Sequence, residues 1–276
     1  MVIWTLSRAS ERAALRPPKP APTMTTRGAL LLGVAITYKI AEMAVGSKSF
    51  PQIEGRDGGP RLVTAAYPVR RTRLAAWSEV VLIFGLIESV MWTPRSPGHT
   101  FLIVTLVLSV LWLGLRGRTR AELGLVWPGR SGTAWILGIG CSVAAGILVG
   151  ALLTGNHVPA NPDWPRWQNL WPYVIWAVGQ QFLLQSFLFL RLEWLLGTSG
   201  AVAVTTMLFT VAHLPNLPLT LLTFLGALFF TEMFRRYRSI YPLGIAHAIL
   251  GITVAYTFPD SLMHHMRVGL SFWQFR

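Results

Sequence analysis

The chain has 276 residues, of which 53% are hydrophobic and 13% charged, and its formal net charge is +13. Soluble domains carry roughly twice that charged fraction, so the composition excludes an ordinary water-soluble fold; with 12 Trp, 25 Gly and 18 Pro it points to a polytopic helical membrane protein. Basic residues of this kind collect in cytoplasmic loops beside anionic headgroups, and no segment is long enough to form a basic soluble domain, which excludes nucleic acid as a partner.

Residues 1–27 hold Arg8, Arg12, Arg16, Lys19 and Arg27 and the run PPKPAP. They lack an apolar signal core, and the expectation is a basic, disordered tail. Apolar segments follow at about 28–46, 78–93, 99–116, 133–153, 170–196, 200–214, 216–234 and 240–258. Spanning takes about 20 residues, so some of these are short. The expected fold is all-α, a membrane bundle of about seven or eight helices, with N-terminal helices and loops over 28–132, a core over 133–258 and a tail over 259–276. Cys141 is the sole cysteine, so no internal disulfide forms.

Lys and Arg set the expected orientation. The loop with Arg116, Arg118, Arg120 and Arg130 and the loop with Arg235, Arg236 and Arg238 are expected in the cytoplasm; TGNHVPANPDWPRWQN, with one Arg, is expected outside. The first segment has basic flanks on both sides and holds Lys39 and Glu42, three apart on one helix face, which suits an interfacial or tilted helix.

Polar groups inside apolar segments are the functional pointers in such a chain. Gln180, Gln181 and Gln185 interrupt WPYVIWAVGQQFLLQSFLFLRLEWLL; His213 stands in LFTVAHLPN, His247 in PLGIAHAILG and Glu232 in FFTEMFRR. Gln181 and Gln185 share a helix face and Gln180 lies about 100° to one side. A buried amide without partners costs a few kcal/mol, so these side chains either tie helices together or line one polar cavity with the histidines. Two histidines are one ligand short of an ordinary catalytic zinc site, so no metal or other cofactor is expected. His264 and His265 are expected to be exposed and unrelated. Glu193 lies twelve residues past Gln181, about 18 Å along a helix, and Glu232 sits one turn before Arg235 and Arg236, where ion pairing is expected.

At these residues the chain resembles the CAAX protease and bacteriocin-processing family, CPBP or Abi, of intramembrane endopeptidases. That family carries E-E-x-x-x-R, F-x-x-x-H and H-x-x-x-N on a four-helix core. Here Phe209-Thr-Val-Ala-His213 matches the second and continues as Leu214-Pro215-Asn216; Gln180-Gln181-Phe-Leu-Leu-Gln185 aligns with the first and His247-Ala-Ile-Leu-Gly251 with the third. AELGLVW at 121–127 resembles the family's lead-in, and the resemblance covers about residues 115–258. It implies catalytic positions at Gln180, Gln181, His213 and His247, with Gln185, Phe209, Asn216 and Gly251 lining the substrate cavity.

The departures change the chemistry that the resemblance implies. In the family a glutamate serves as general base, histidines position water or polarise the carbonyl, and the asparagine supports the oxyanion. Glutamine accepts no proton near neutral pH, and glycine has no side-chain donor. Loss of the arginine together with both glutamates avoids a buried unpaired cation. The expected function is a CPBP-family membrane protein, a non-canonical or inactive peptidase homologue that binds a lipidated or transmembrane protein segment among membrane lipids. Two alternatives stand beside it: an active endopeptidase of CAAX type with a histidine and glutamine site, and a lipid-binding or transport protein. The expected location is multi-pass in a bacterial inner, or cytoplasmic, membrane.

Overall fold

The computed structural model describes residues 72–154 and 167–274, and the regular elements among them are helical. The basic tail, the 28–46 segment and the loop 155–166 lie outside the described residues. Thr72 opens α1 (Arg73–Trp92) by accepting from the Ala75 N–H at 3.2 Å, and Ser96 opens α2 (Pro97–Leu115) through the His99 N–H at 3.2 Å, with Pro in the first turn. Then come α3 (Arg130–Thr154), α4 (Trp167–Gln181), a π-helix (Phe182–Phe189), α5 (Leu190–Val211), α6 (Leu217–Tyr237) and α7 (Tyr241–Thr257). α8 (Asp260–Met263), a 3₁₀ turn (His264–Met266) and α9 (Leu270–Gln274) complete the order.

Among the described residues five helical runs are long and apolar enough to cross a membrane, the longest covering Leu170–Val211. That run is two helices, because Gly197 (φ 74, ψ 173) breaks it, as the apolar segments 170–196 and 200–214 anticipate. Large apolar side chains face outward: Leu153 on α3 is 83% exposed and Phe101 on α2 69%. Contiguous faces of this kind are costly in water and are at home in lipid. The chain is a multi-pass membrane protein.

Small residues bring α7 against its neighbours. Gly140 of α3 lies on Ala246, where an added Cβ would stand 3.0 Å from the Ala246 Cβ, and Gly244 lies on Val178 of α4. Gly244, Ala248 and Gly251 form one stripe along α7, and α4 runs antiparallel to it, with Val178 at Gly244 and Tyr173 at Gly251. Without a hydrophobic drive between helices in lipid, this close backbone approach is what holds them. α5 and α6 pair through Thr206 and Thr231, whose hydroxyls are 3.3 Å apart.

Arg191 has the largest fully buried side chain and binds three elements together. Its Nε donates to Glu79 of α1 at 2.7 Å, its Nη2 to the Leu113 carbonyl of α2 at 2.8 Å and its Nη1 to the Phe187 carbonyl of the π-helix at 3.1 Å. The guanidinium stacks 3.6 Å from the Phe187 ring centre. The π-helix contains neither Gly nor Pro; its wide turns are held from outside, by this guanidinium and by Ser186, whose hydroxyl donates to the Leu123 carbonyl at 2.6 Å.

The AELGLVW lead-in packs between α6 and α7: the Ile240 N–H donates to the Gly124 carbonyl at 3.0 Å. Gly124 sits at φ +70 with Phe234 2.6 Å from where a Cβ would be, so both conformation and space require glycine. In the same loop Glu122 accepts from the Thr119 backbone N–H at 2.6 Å, and that bond above all holds its carboxyl below the usual carboxylate range.

The 259–274 segment is folded onto the His213 turn. Asn216 caps α6 by accepting from the Leu219 N–H at 3.3 Å, and its Nδ2 donates to the carbonyls of Met263 at 2.8 Å and Arg267 at 3.1 Å. Those carbonyls flank His264, His265 and Met266, which stand at φ 46, 52 and 54, a left-handed run that L residues adopt only when held. His265 pairs with Asp260 at 2.9 Å on the exposed side. Asn216→Ala removes a helix cap and both clamps; the expected loss is about 2 kcal/mol, with the C-terminal segment becoming the first site of cleavage in limited proteolysis of the detergent-solubilised protein.

Candidate functional site

The site forms where α4 passes into the π-helix, opposite the turn after α5 and the middle of α7. Gln185 Nε2 donates to Gln181 Oε1 at 3.3 Å, and Gln181 Nε2 meets His247 Nδ1 at 3.1 Å. Across the site His213 Nδ1 is 2.6 Å from the Phe209 carbonyl. Phe209 touches both imidazoles, with ring centres 4.6 Å from His213 and 6.1 Å from His247, and Phe230 stacks on His247 at 5.1 Å. Gln181 and Gln185 are fully buried, whereas the two imidazoles are half-buried, so the amides stand behind the histidines.

These contacts assign both tautomers. A carbonyl only accepts, so His213 Nδ1 carries a proton and His213 Nε2 a lone pair. Gln181 Oε1 is taken by Gln185, so its Nε2 donates to His247 Nδ1, and the His247 proton lies on Nε2. The site therefore offers one neutral acceptor edge and one neutral donor edge. A carboxylate at position 181 would do the reverse, accepting from His247 Nδ1–H and leaving a lone pair on Nε2. Glutamine here removes a base and also inverts the hydrogen-bonding sense of His247.

The described carboxylates are engaged away from the histidines. Glu79 pairs with Arg191 at 2.7 Å; Glu88 accepts from Trp92 Nε1 at 3.1 Å; Glu193 binds Arg238 at 2.8 and 2.5 Å; Glu232 binds Arg235 and Arg236, each at 2.6 Å. The pairing of Glu232 follows the sequence expectation; that of Glu79 with a buried Arg191 does not appear in it. Of the candidate residues, Gln181, Gln185, Phe209, His213 and His247 come together. Gln180 is half-buried on the flank of α4, and Asn216 lies fully buried behind the His213 turn, its amide committed to the cap and the C-terminal segment.

Gly251 follows His247 by one turn and is buried against Tyr173 of α4: a Cβ at 251 would collide with the Tyr173 hydroxyl. Sequence reasoning passes over Tyr173, because nothing in WPYVIW marks it out. The glycine in H-x-x-x-G is the signal for a group in close approach, without saying which group.

Residues 162–253 match the Rce1-like family, described as type II CAAX prenyl endopeptidase Rce1-like. No curated protein and no solved structure matches the chain. The matched stretch runs through α4, the π-helix, α5, α6 and most of α7, and it contains the glutamine pair, His213, His247 and Gly251. Over those residues the chain is similar to the CAAX-protease family, CPBP or Abi.

Proposed function

We propose that this protein holds a lipidated or membrane-spanning peptide segment in an uncharged intramembrane site without hydrolysing it by carboxylate chemistry. The observation that carries this reading is the relay Gln185 to Gln181 to His247, with spacings of 3.3 and 3.1 Å. Peptide hydrolysis needs a group that takes a proton from water, and an amide in the base position takes none. The relay bonds the Gln185 and Gln181 amides to each other and to His247, while the buried Gln185 Oε1 has no partner among the described residues. The family match supports a peptide or lipidated peptide as the ligand, held in a multi-pass membrane protein.

A second reading, an active endopeptidase of variant mechanism, draws on one observation. His213 Nε2 is a lone-pair edge, backed by a 2.6 Å bond from Nδ1 to the Phe209 carbonyl, and an imidazole so held is able to accept a proton from water. Incubation of the wild type in liposomes with lipidated and transmembrane peptides, read by mass spectrometry, separates the two. The proposal expects bound, intact peptide. Cleavage by the wild type that disappears in His213→Ala would establish the enzyme instead.

A further inference from the structure

The Tyr173 hydroxyl lies against the backbone of Gly251, one helical turn from His247 and about 6 Å further along α7. Among the described residues the hydroxyl has no hydrogen-bond partner, and neither has Nε2 of His213 or of His247. A phenol placed in apolar surroundings normally finds a partner for its O–H. Three neutral polar edges thus remain around the α4, α7 and Phe209 junction: a donor on His247, a donor on Tyr173 and an acceptor on His213.

We infer that Tyr173 is a ligand-binding residue, and that the site is built for an intact, uncharged peptide amide. The carbonyl oxygen takes the O–H of Tyr173 and the N–H of His247 as its two donors, and the amide N–H is matched by the His213 lone pair. A free carboxylate fits worse, because it offers acceptors only and would set a negative charge against the His213 lone pair, where no described residue places a cation. Tyr173 acts as donor because Gly251 leaves its hydroxyl the room; any side chain at 251 would displace it. This inference rests on the reading of the site as a neutral peptide-binding site.

The test uses the full chain in lipid nanodiscs. The probe is a farnesylated peptide in two forms, one ending in a carboxamide and one in a free carboxylate, with a ¹³C-labelled carbonyl beside the prenylated residue. The wild type is expected to bind the carboxamide more tightly than the acid and to shift the labelled carbonyl band to lower frequency. Tyr173→Phe is expected to weaken carboxamide binding about five- to tenfold, the worth of one hydrogen bond, and to reverse part of the band shift. If the wild type binds and Tyr173→Phe leaves affinity and band unchanged, the role of Tyr173 is overturned and the neutral-site reading stands. If the folded wild type binds neither form, that reading falls and takes this inference with it. Should Tyr173→Phe fail to fold, 3-fluorotyrosine in place of Tyr173 keeps ring and packing; its more acidic hydroxyl should lower the band further, and an unmoved band overturns the inference.

Discussion

Arg191→Met is expected to be the most destabilising single change in the described structure, by about 3–5 kcal/mol, the usual cost of breaking a buried pair from one side. Arg191 is 0% exposed and Glu79 13% in side-chain terms, so removal of the cation takes a charged partner at 2.7 Å from a carboxylate that water reaches poorly. The carbonyls of Leu113 and Phe187 lose their donor at the same time. Glu79→Gln should cost less, because a neutral amide still accepts from the guanidinium and the two carbonyls still bind it. The double change Arg191→Met with Glu79→Leu should recover part of the loss, since the pair is then removed as a whole. Thermal melts in one detergent, with the four proteins side by side, check this. A melting point for Arg191→Met equal to that of the wild type would mean that the π-helix holds without its clamp.

The second large effect is expected at the glutamine pair. Gln180→Glu with Gln181→Glu should create peptide cleavage where the wild type has none, by about 10²–10⁴ over the uncatalysed background, the usual contribution of a positioned general base. The substitution is nearly isosteric, and the surroundings already suit a carboxylate at 181: Gln185 Nε2 stands 3.3 Å from the present oxygen and His247 Nδ1 is 3.1 Å from the present nitrogen. The carboxylate should accept from both, so the His247 proton should move from Nε2 to Nδ1. ¹⁵N spectra of labelled histidine report that exchange directly, whether or not a substrate is found. A His247 that keeps its Nε2 proton in the double variant would contradict the tautomer assignment, and with it the argument that glutamine inverts the site.

The course of the chain was legible from composition and periodicity. The spans expected at 133–153 and 240–258 correspond to α3 (Arg130–Thr154) and α7 (Tyr241–Thr257), and the break between 196 and 200 falls at Gly197, where a positive φ ends one helix and starts the next. Lipid makes this possible, since a segment that crosses it must be apolar along its whole length and must bond its own backbone. The family resemblance was legible for a related reason: FTVAHLPN and the spaced polar residues stand out against apolar sequence, where each polar group is costly and therefore informative.

The partners of those polar groups were decided by the tertiary structure alone. Arg191 sits two residues from Glu193 in sequence, yet it binds Glu79 from another helix while Glu193 binds Arg238. The π-helix has no Gly or Pro to mark it in sequence, and the bonds that brace it, from Ser186 to the Leu123 carbonyl and from Arg191 to the Phe187 carbonyl, are visible only in the structure. Tyr173 enters the site through the absence of a side chain at Gly251. The sequence by itself determined where the apolar helices of the described residues run and which positions carry hydrogen-bonding groups, because solvation in lipid acts residue by residue. Which groups donate, which accept, and what fills the space beside them depended on distances of about 3 Å between helices far apart in the chain, and hydrogen bonds are made or lost on that scale.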